Sequence, residues 1–246
     1  MHYRYHAQES LKESWEKFAK EDPYRYILTS LKNGDPREFW QSGYRTVQVE
    51  LLPLILARGI FPGIAMELGC GVGRLVFPLA AHFQKVVGVD IAEGMVQRAQ
   101  CFARDNRIQN VSFSTISGPD DLLRQAGDLA GKINFLYSLL VFQHIPDASR
   151  IEGYLQSLGI LLEENGIAYL QFDTRPRNFA YHLRSNLPDG LLPRFWRQGI
   201  RRIRRSPWEI ERSISNAGLE VVAELAPFTA YHRYILRRSP RPWRSS

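Results

Sequence analysis

Apolar positions along the chain recur with two periods, and the switching between them predicts the elements. Gln8 to Ala19 reads as a polar first helix and Pro36 to Leu56 as a longer one, with Phe39, Val47, Leu51 and Ile55 at mostly helical spacing. Between them, Asp22-Pro23-Tyr24 and Asn33-Gly34-Asp35-Pro36 read as turns. The run Ile64-Ala65-Met66-Glu67-Leu68 predicts a short buried strand, followed at once by Gly69-Cys70-Gly71-Val72-Gly73. Leu75, Val76, Leu79, Ala80 and Phe83 share one helical face, and Val86 to Val89 form a second strand ending in Asp90. This is a βαβ unit.

The alternation continues through a helix carrying Met95, Ala99 and Phe102 and through strands at Val111 to Ile116 and Ile133 to Ser138. Ile151, Tyr154, Leu155, Leu158, Leu161 and Leu162 make one helical stripe, and Asn165-Gly166 predicts its stop before a strand over Ile167 to Phe172. Strands alternating with such helices imply an α/β fold whose mostly parallel sheet is covered on both faces. After a helix near Pro207 to Ala217, the strands Leu219 to Leu225 and Tyr231 to Leu236 are close enough for a hairpin, so the last strand should run antiparallel.

The chain has 246 residues, 44% of them hydrophobic and 23% charged, enough to bury one substantial core. No apolar run approaches the roughly 20 residues that span a bilayer, and two cysteines supply neither a disulfide framework nor a Cys-rich zinc site. A soluble protein in a reducing cytoplasm is expected. The net charge of +7 is unevenly placed: Arg175 to Arg205 hold nine arginines against the single acid Asp189, and the last sixteen residues add five more with no acid. The remainder is slightly acidic, so the basicity belongs to one insert and a tail.

A tight strand-to-helix turn needs glycine where φ is positive or where a ligand approaches the backbone closely, and the helix start offers unpaired N–H groups. Gly69, Gly71 and Gly73 suit that role. A dinucleotide fingerprint wants its third glycine one place later, where this chain has Arg74, which argues against a pyrophosphate on the turn. Asp90, ending the next strand, stands where a carboxylate can accept from both hydroxyls of an adenosine ribose.

Glu67 to Arg74, together with Val87-Gly88-Val89-Asp90-Ile91, resembles motifs I and II of the class I (Rossmann-like) S-adenosylmethionine-dependent methyltransferases. Tyr137 to Asp147 resembles the end of the fourth strand in their small-molecule branch, and Leu162 to Gly166 sits where they carry a glycine turn. The resemblance runs well from Gly63 to Asp173. Trp15-Glu16-Lys17-Phe18, Asp22-Pro23-Tyr24 and Phe39 to Gly43 also look like a bacterial subgroup. It implies a three-layer sandwich with a seven-stranded sheet in the order 3-2-1-4-5-7-6, residues 1–60 as an N-terminal helical cap, and 61–246 as the methyltransferase domain with a basic helical insert at 174–206. It implies S-adenosylmethionine as cofactor and S-adenosylhomocysteine as product, held by Glu67 at the methionine amine, Gly69, Gly71, Gly73, Asp90 at the ribose, Ile91 on the adenine, Ser117, Gly118, Ser138 and Gln143. Two positions depart from the pattern: Ser117-Gly118, with Asp120 nearby, stands where relatives have an acid reading the adenine amine, and Ile133-Asn134 replaces the usual acid opening the fourth strand.

The cofactor brings an activated methyl, so the protein must align an acceptor and, for a hydroxyl, remove a proton. His144 is the candidate base, at the carboxyl edge where ligands of open α/β sheets bind; the other reading is that it caps the turn or touches cofactor. Trp40, Tyr44, Arg175 and Trp196 are candidates for the acceptor side. No Asn-Pro-Pro-Tyr-like segment, proline-preceded cysteine or acid/histidine cluster appears, so a flipped base and a metal are not expected. A small-molecule, glycan or lipid-linked O- or N-acceptor, anionic in view of the arginines, is the main expectation, with peripheral contact to an anionic membrane. An RNA methyltransferase and a non-catalytic cofactor-binding protein are the alternatives. Leu192, Phe195, Trp196, Ile200 and Ile203 recur at helical spacing amid the arginines, which predicts a helix there.

Overall fold

The computed structural model describes residues 6–28, 35–186 and 202–240. The first helix, α1 (His6–Glu21), is followed by α2 (Pro23–Ile27). Asp22-Pro23, expected as a turn, starts this helix instead: the Asp22 carboxylate accepts from the Arg25 N–H and Pro23 occupies the first turn, where its missing N–H costs nothing. The long helix expected from Pro36 is α3 (Pro36–Thr46), a π-turn (Val47–Leu51) and α4 (Leu52–Ala57). Pro53 explains the interruption. It donates no N–H, and its ring crowds the carbonyl of Val49, so the preceding turn widens.

Strands β1 (Ile64–Leu68), β2 (Lys85–Asp90), β3 (Val111–Thr115), β4 (Ile133–Ser138), β5 (Leu162–Phe172), β6 (Leu219–Leu225) and β7 (His232–Arg238) form one sheet in the order β3-β2-β1-β4-β5-β7-β6. Neighbours from β3 to β5 are parallel, and β7 is antiparallel to both β5 and β6, as the hairpin spacing requires. The helices between strands are α5 (Val76–Ala80), α6 (Glu93–Asp105), α7 (Pro119–Ala126), α8 (Ala148–Leu161), α9 (Phe179–Asn186) and α10 (Pro207–Asn216). α8 stops three residues before the expected Asn165-Gly166. Those residues belong to β5, where an irregularity separates the pairings Ile133 with Leu162 and Phe135 with Ile167.

Strand alternation divides the core. Met66, Leu136 and Leu170 face α7, α8 and α10, while Ala65, Phe135, Tyr137 and Tyr169 face α4, α5 and α6. A third cluster joins the N-terminal helices to the main body through Ala19, Phe39, Val72, Ala92 and Met95. Among the described residues no helix is long and apolar enough to cross a membrane. Of the basic segment, α9 is helical but residues 202–206 are not. Ile203 and Arg205 send their N–H groups to the carbonyls of Gln143 and Asp173 instead of to a helical partner. Leu192, Phe195, Trp196, Ile200 and Arg201 lie outside the described residues.

Candidate active site at the carboxyl edge of the sheet

The loop between β1 and α5 places Gly69, Gly71 and Gly73 at φ of 77°, 53° and 86°, where a side chain is strained. Neighbours also close in. A Cβ at Gly69 would run into a Val141 methyl, one at Gly71 would come within 2.7 Å of Ile27 Cδ1, and one at Gly73 within 2.6 Å of Phe77. Asp90 organises the turn: its carboxylate accepts from the Gly71 N–H at 2.7 Å and the Ala92 N–H at 2.9 Å. Burial raises its pKa, and these backbone donors oppose the rise.

Glu67 is buried near the end of β1 and accepts from the Tyr137 hydroxyl at 3.2 Å. Burial pushes its carboxyl up to about 8, against the pull of the Arg74 cation and the Tyr137 hydroxyl. Arg74 fills the position a dinucleotide turn gives to glycine. It is buried, donates to Ser42 Oγ at 3.3 Å, and has Gly43 packed on its backbone. Ser138 Oγ donates to the Leu68 carbonyl at 2.8 Å, tying the ends of β4 and β1 together.

After β4 the chain turns sharply. Leu140 takes φ of 65°, a left-handed value that a side chain disfavours, and a short 3-10 turn, Phe142–His144, follows. Gln143 is buried, its Nε2 is 3.3 Å from His144 Nε2, and its Oε1 has no hydrogen-bond partner among the described residues. The half-buried His144 ring meets Trp15 of α1 edge-on, centroids 5.9 Å apart. Ile91 is half-buried against the core between the sheet and α7, α8 and α10. The acid bonded to Ser117 is Asp121, not Asp120: it accepts from the Ser117 N–H at 2.8 Å, and its Arg124 partner holds its pKa low. Gly118 leads into α7 with the Arg150 guanidinium close by, and Asn134 takes the Ile64 N–H at 2.8 Å at the opposite edge of the sheet.

Trp40 stacks on Phe102, centroids 4.5 Å apart, and also packs on Phe39 and Phe77, which makes it a joint between the cap and α5 and α6. Tyr44 is exposed. Arg175 grips the buried Asp173 through Nε at 3.0 Å and Nη2 at 2.6 Å. Trp196 lies outside the described residues. Three contributors were not among the site residues expected from the sequence. Glu16 accepts from the N–H groups of Glu93 at 2.6 Å and Gly94 at 3.1 Å, at the start of α6. Glu50, on the π-turn, accepts from the Tyr169 hydroxyl at 2.8 Å and from Arg233. Arg205 reaches beneath the turn that bears His144.

A family model described as a methyltransferase domain matches residues 66–168. A 23S rRNA uracil-C(5)-methyltransferase of Marinomonas is 46% identical over 50 residues, 20% of this chain and 11% of that protein. The magnesium-protoporphyrin O-methyltransferase of Synechocystis is 32% identical over 119 residues, 47% of this chain and 49% of that protein. The chain thus spans about a tenth to a half of the length of these curated relatives. The crystal structure of magnesium protoporphyrin IX methyltransferase from Synechocystis with bound S-adenosylhomocysteine superposes with a TM-score of 0.64 at 24% identity, covering 94% of this chain and 99% of that one.

Proposed function

We propose that this chain, which carries a methyltransferase domain of Rossmann-like fold, transfers the methyl group of S-adenosylmethionine to a small-molecule, glycan or lipid-linked O- or N-acceptor. The observation that carries this reading is the gathering of Gly69, Gly71, Gly73, Glu67 and Asp90 at one end of β1 and β2. The residues present fit the cofactor. Each Asp90 oxygen accepts one backbone N–H and keeps a lone pair for a ribose hydroxyl. Gln143 Oε1, a buried acceptor without a partner among the described residues, and the Glu67 carboxyl, which a bound ammonium would draw back toward its ionised form, together suit a cation such as the amine of the methionine moiety. Ile91, Ser117 and Gly118 would border the adenine, and Ser138 the edge beneath the sulfur.

When bound, the cofactor supplies a methyl group on a sulfonium, a strong electrophile. The chain's own residues then orient the acceptor and, for a hydroxyl, take its proton at the His144 imidazole. Trp15 and Ile27 shield the centre from water on the cap side. An anionic acceptor draws support from Arg202, half-buried beside Ile203 and without an ion pair among the described residues, whereas Arg175 and Arg177 are paired with Asp173 and Glu209. The Synechocystis relative, named for an O-methyl transfer to a magnesium porphyrin, also favours a small acceptor.

Calorimetry should find that S-adenosylmethionine and S-adenosylhomocysteine bind and NAD does not; tight NAD binding overturns the reading. Release of S-adenosylhomocysteine across a panel of carboxylated small molecules, phospho-sugars, lipid-linked intermediates and RNA then assigns the acceptor. Binding without turnover on every member of that panel would instead mark a cofactor-binding protein. With a hydroxyl acceptor, His144→Ala should lower turnover by roughly 10²–10⁴-fold while S-adenosylhomocysteine affinity stays near the parent value. Lost affinity instead would assign His144 to the cofactor contact.

A further inference from the structure

Arg205 is a buried arginine of the basic segment, 8% exposed, and among the described residues it makes no ion pair. Its guanidinium spends its donors on backbone instead: Nη2 donates to the carbonyls of Ile145 at 2.6 Å and Pro146 at 3.3 Å, and Nη1 to that of Phe142 at 3.3 Å. On the same strip of chain, the Ile203 N–H donates to the Gln143 carbonyl at 2.7 Å, and the Arg205 N–H to that of Asp173 at 2.9 Å. Four consecutive-turn carbonyls, from Phe142 to Pro146, are thus held from one side by two residues.

A buried cation without a counter-ion is unfavourable, and burial here lowers the arginine pKa, with Glu209 and Asp147 acting only from further away. An apolar side chain could fill the same space without that penalty. What arginine adds is a rigid planar fork that fixes several acceptors at once. Strain lies just ahead of the carbonyls it holds: Leu140 sits at φ of 65°, and the next residue, Val141, packs close enough to Gly69 that a Cβ there would clash with it. Backbone strain persists only where surrounding contacts over-determine it.

We infer that Arg205 is a positioning residue for the methyl-transfer centre, its guanidinium setting where Gln143 and His144 stand over the glycine turn. The inference rests on the proposed methyltransferase reading for the meaning of that centre, but its geometry can be tested without cofactor. The His144 ring lies 5.9 Å from Trp15, close enough for the indole ring current to displace its proton resonances. In the full chain, Arg205→Met should shift the His144 ring signals toward those of a histidine with no indole beside it. Arg205→Lys, which keeps the charge but reaches fewer carbonyls, should leave them in between. S-adenosylhomocysteine affinity should fall about tenfold in Arg205→Met and less in Arg205→Lys. If Arg205→Met does not fold, Ile203→Pro, which removes the N–H to the Gln143 carbonyl while also replacing the side chain and fixing φ at that position, should produce a smaller shift in the same direction. His144 signals identical to the parent's in the folded variants overturn the inference and leave Arg205 as a fastening of the basic segment. A parent protein that binds no S-adenosylhomocysteine overturns the methyltransferase reading, whatever the histidine signals show.

Discussion

The two segments that flank the carboxyl edge of the sheet hold it by different chemistry. The N-terminal cap grips through side chains: Glu16 on the start of α6, Trp15 against His144, Ile27 over Gly71, and Glu50 with Tyr169 and Arg233. The segment after β5 grips through main chain and one buried fork, at Ile203, Arg205 and Thr174, whose N–H donates to Thr229 at 2.9 Å. Side-chain contacts at a partly solvated surface can break singly, at about 1 kcal/mol each, without disturbing the sheet. Main-chain bonds to the turn cannot break without moving His144. On the proposed methyltransferase reading, the cap is the side expected to open for ligand exchange, and the basic segment the side that keeps the geometry.

The comparison fails most plainly if the cofactor does not use the edge both segments cover. Asp90→Ala removes the proposed ribose acceptor and the partner of two backbone N–H groups, and should weaken S-adenosylhomocysteine binding by roughly tenfold to a hundredfold in calorimetry. Unchanged affinity would place the ribose elsewhere. A smaller effect separates the two segments. Glu16→Ala should speed S-adenosylhomocysteine release by about fivefold in stopped-flow, the loss of one half-buried carboxylate bonded to a helix start, while the melting temperature moves little. Equal rates in parent and variant would deny the cap its part in exchange.

The smallest effect concerns Glu67 beneath the cap. Its native carboxyl, raised to about 8 by burial, still holds a proton at pH values where the unfolded chain has already lost it. The unfolded state thus binds fewer protons, so stability falls as pH rises from the ordinary glutamate range to about 8 and levels off above. Glu67→Gln, neutral in both states, should melt on the order of a few degrees above the parent at pH 8, with the gap closing toward pH 5. A gap independent of pH would show that the carboxyl is not desolvated.

The sequence by itself determined the sheet and the glycine turn, because both are local. Strand and helix periods, the Asp90 that ends β2, and a turn demanding positive φ at Gly69, Gly71 and Gly73 all act within a few residues, and the structure has them at those positions. Local signals misplaced three boundaries: Asp22-Pro23 opens a helix, Pro53 widens one, and Asn165-Gly166 lies inside β5 instead of ending α8, each through a backbone effect that periodicity does not register. Only the tertiary structure decided which side chains meet at the edge. Arg205 reaches a carbonyl 60 residues away, Tyr169 bonds a carboxylate 119 away, and Arg233 one 183 away. Nor could composition tell which arginines pair with acids, as Arg175 and Arg177 do, and which lie under a turn. A hydrophobic pattern says which face of an element is buried, but a polar partner across the fold is chosen by packing geometry that no short window of sequence contains.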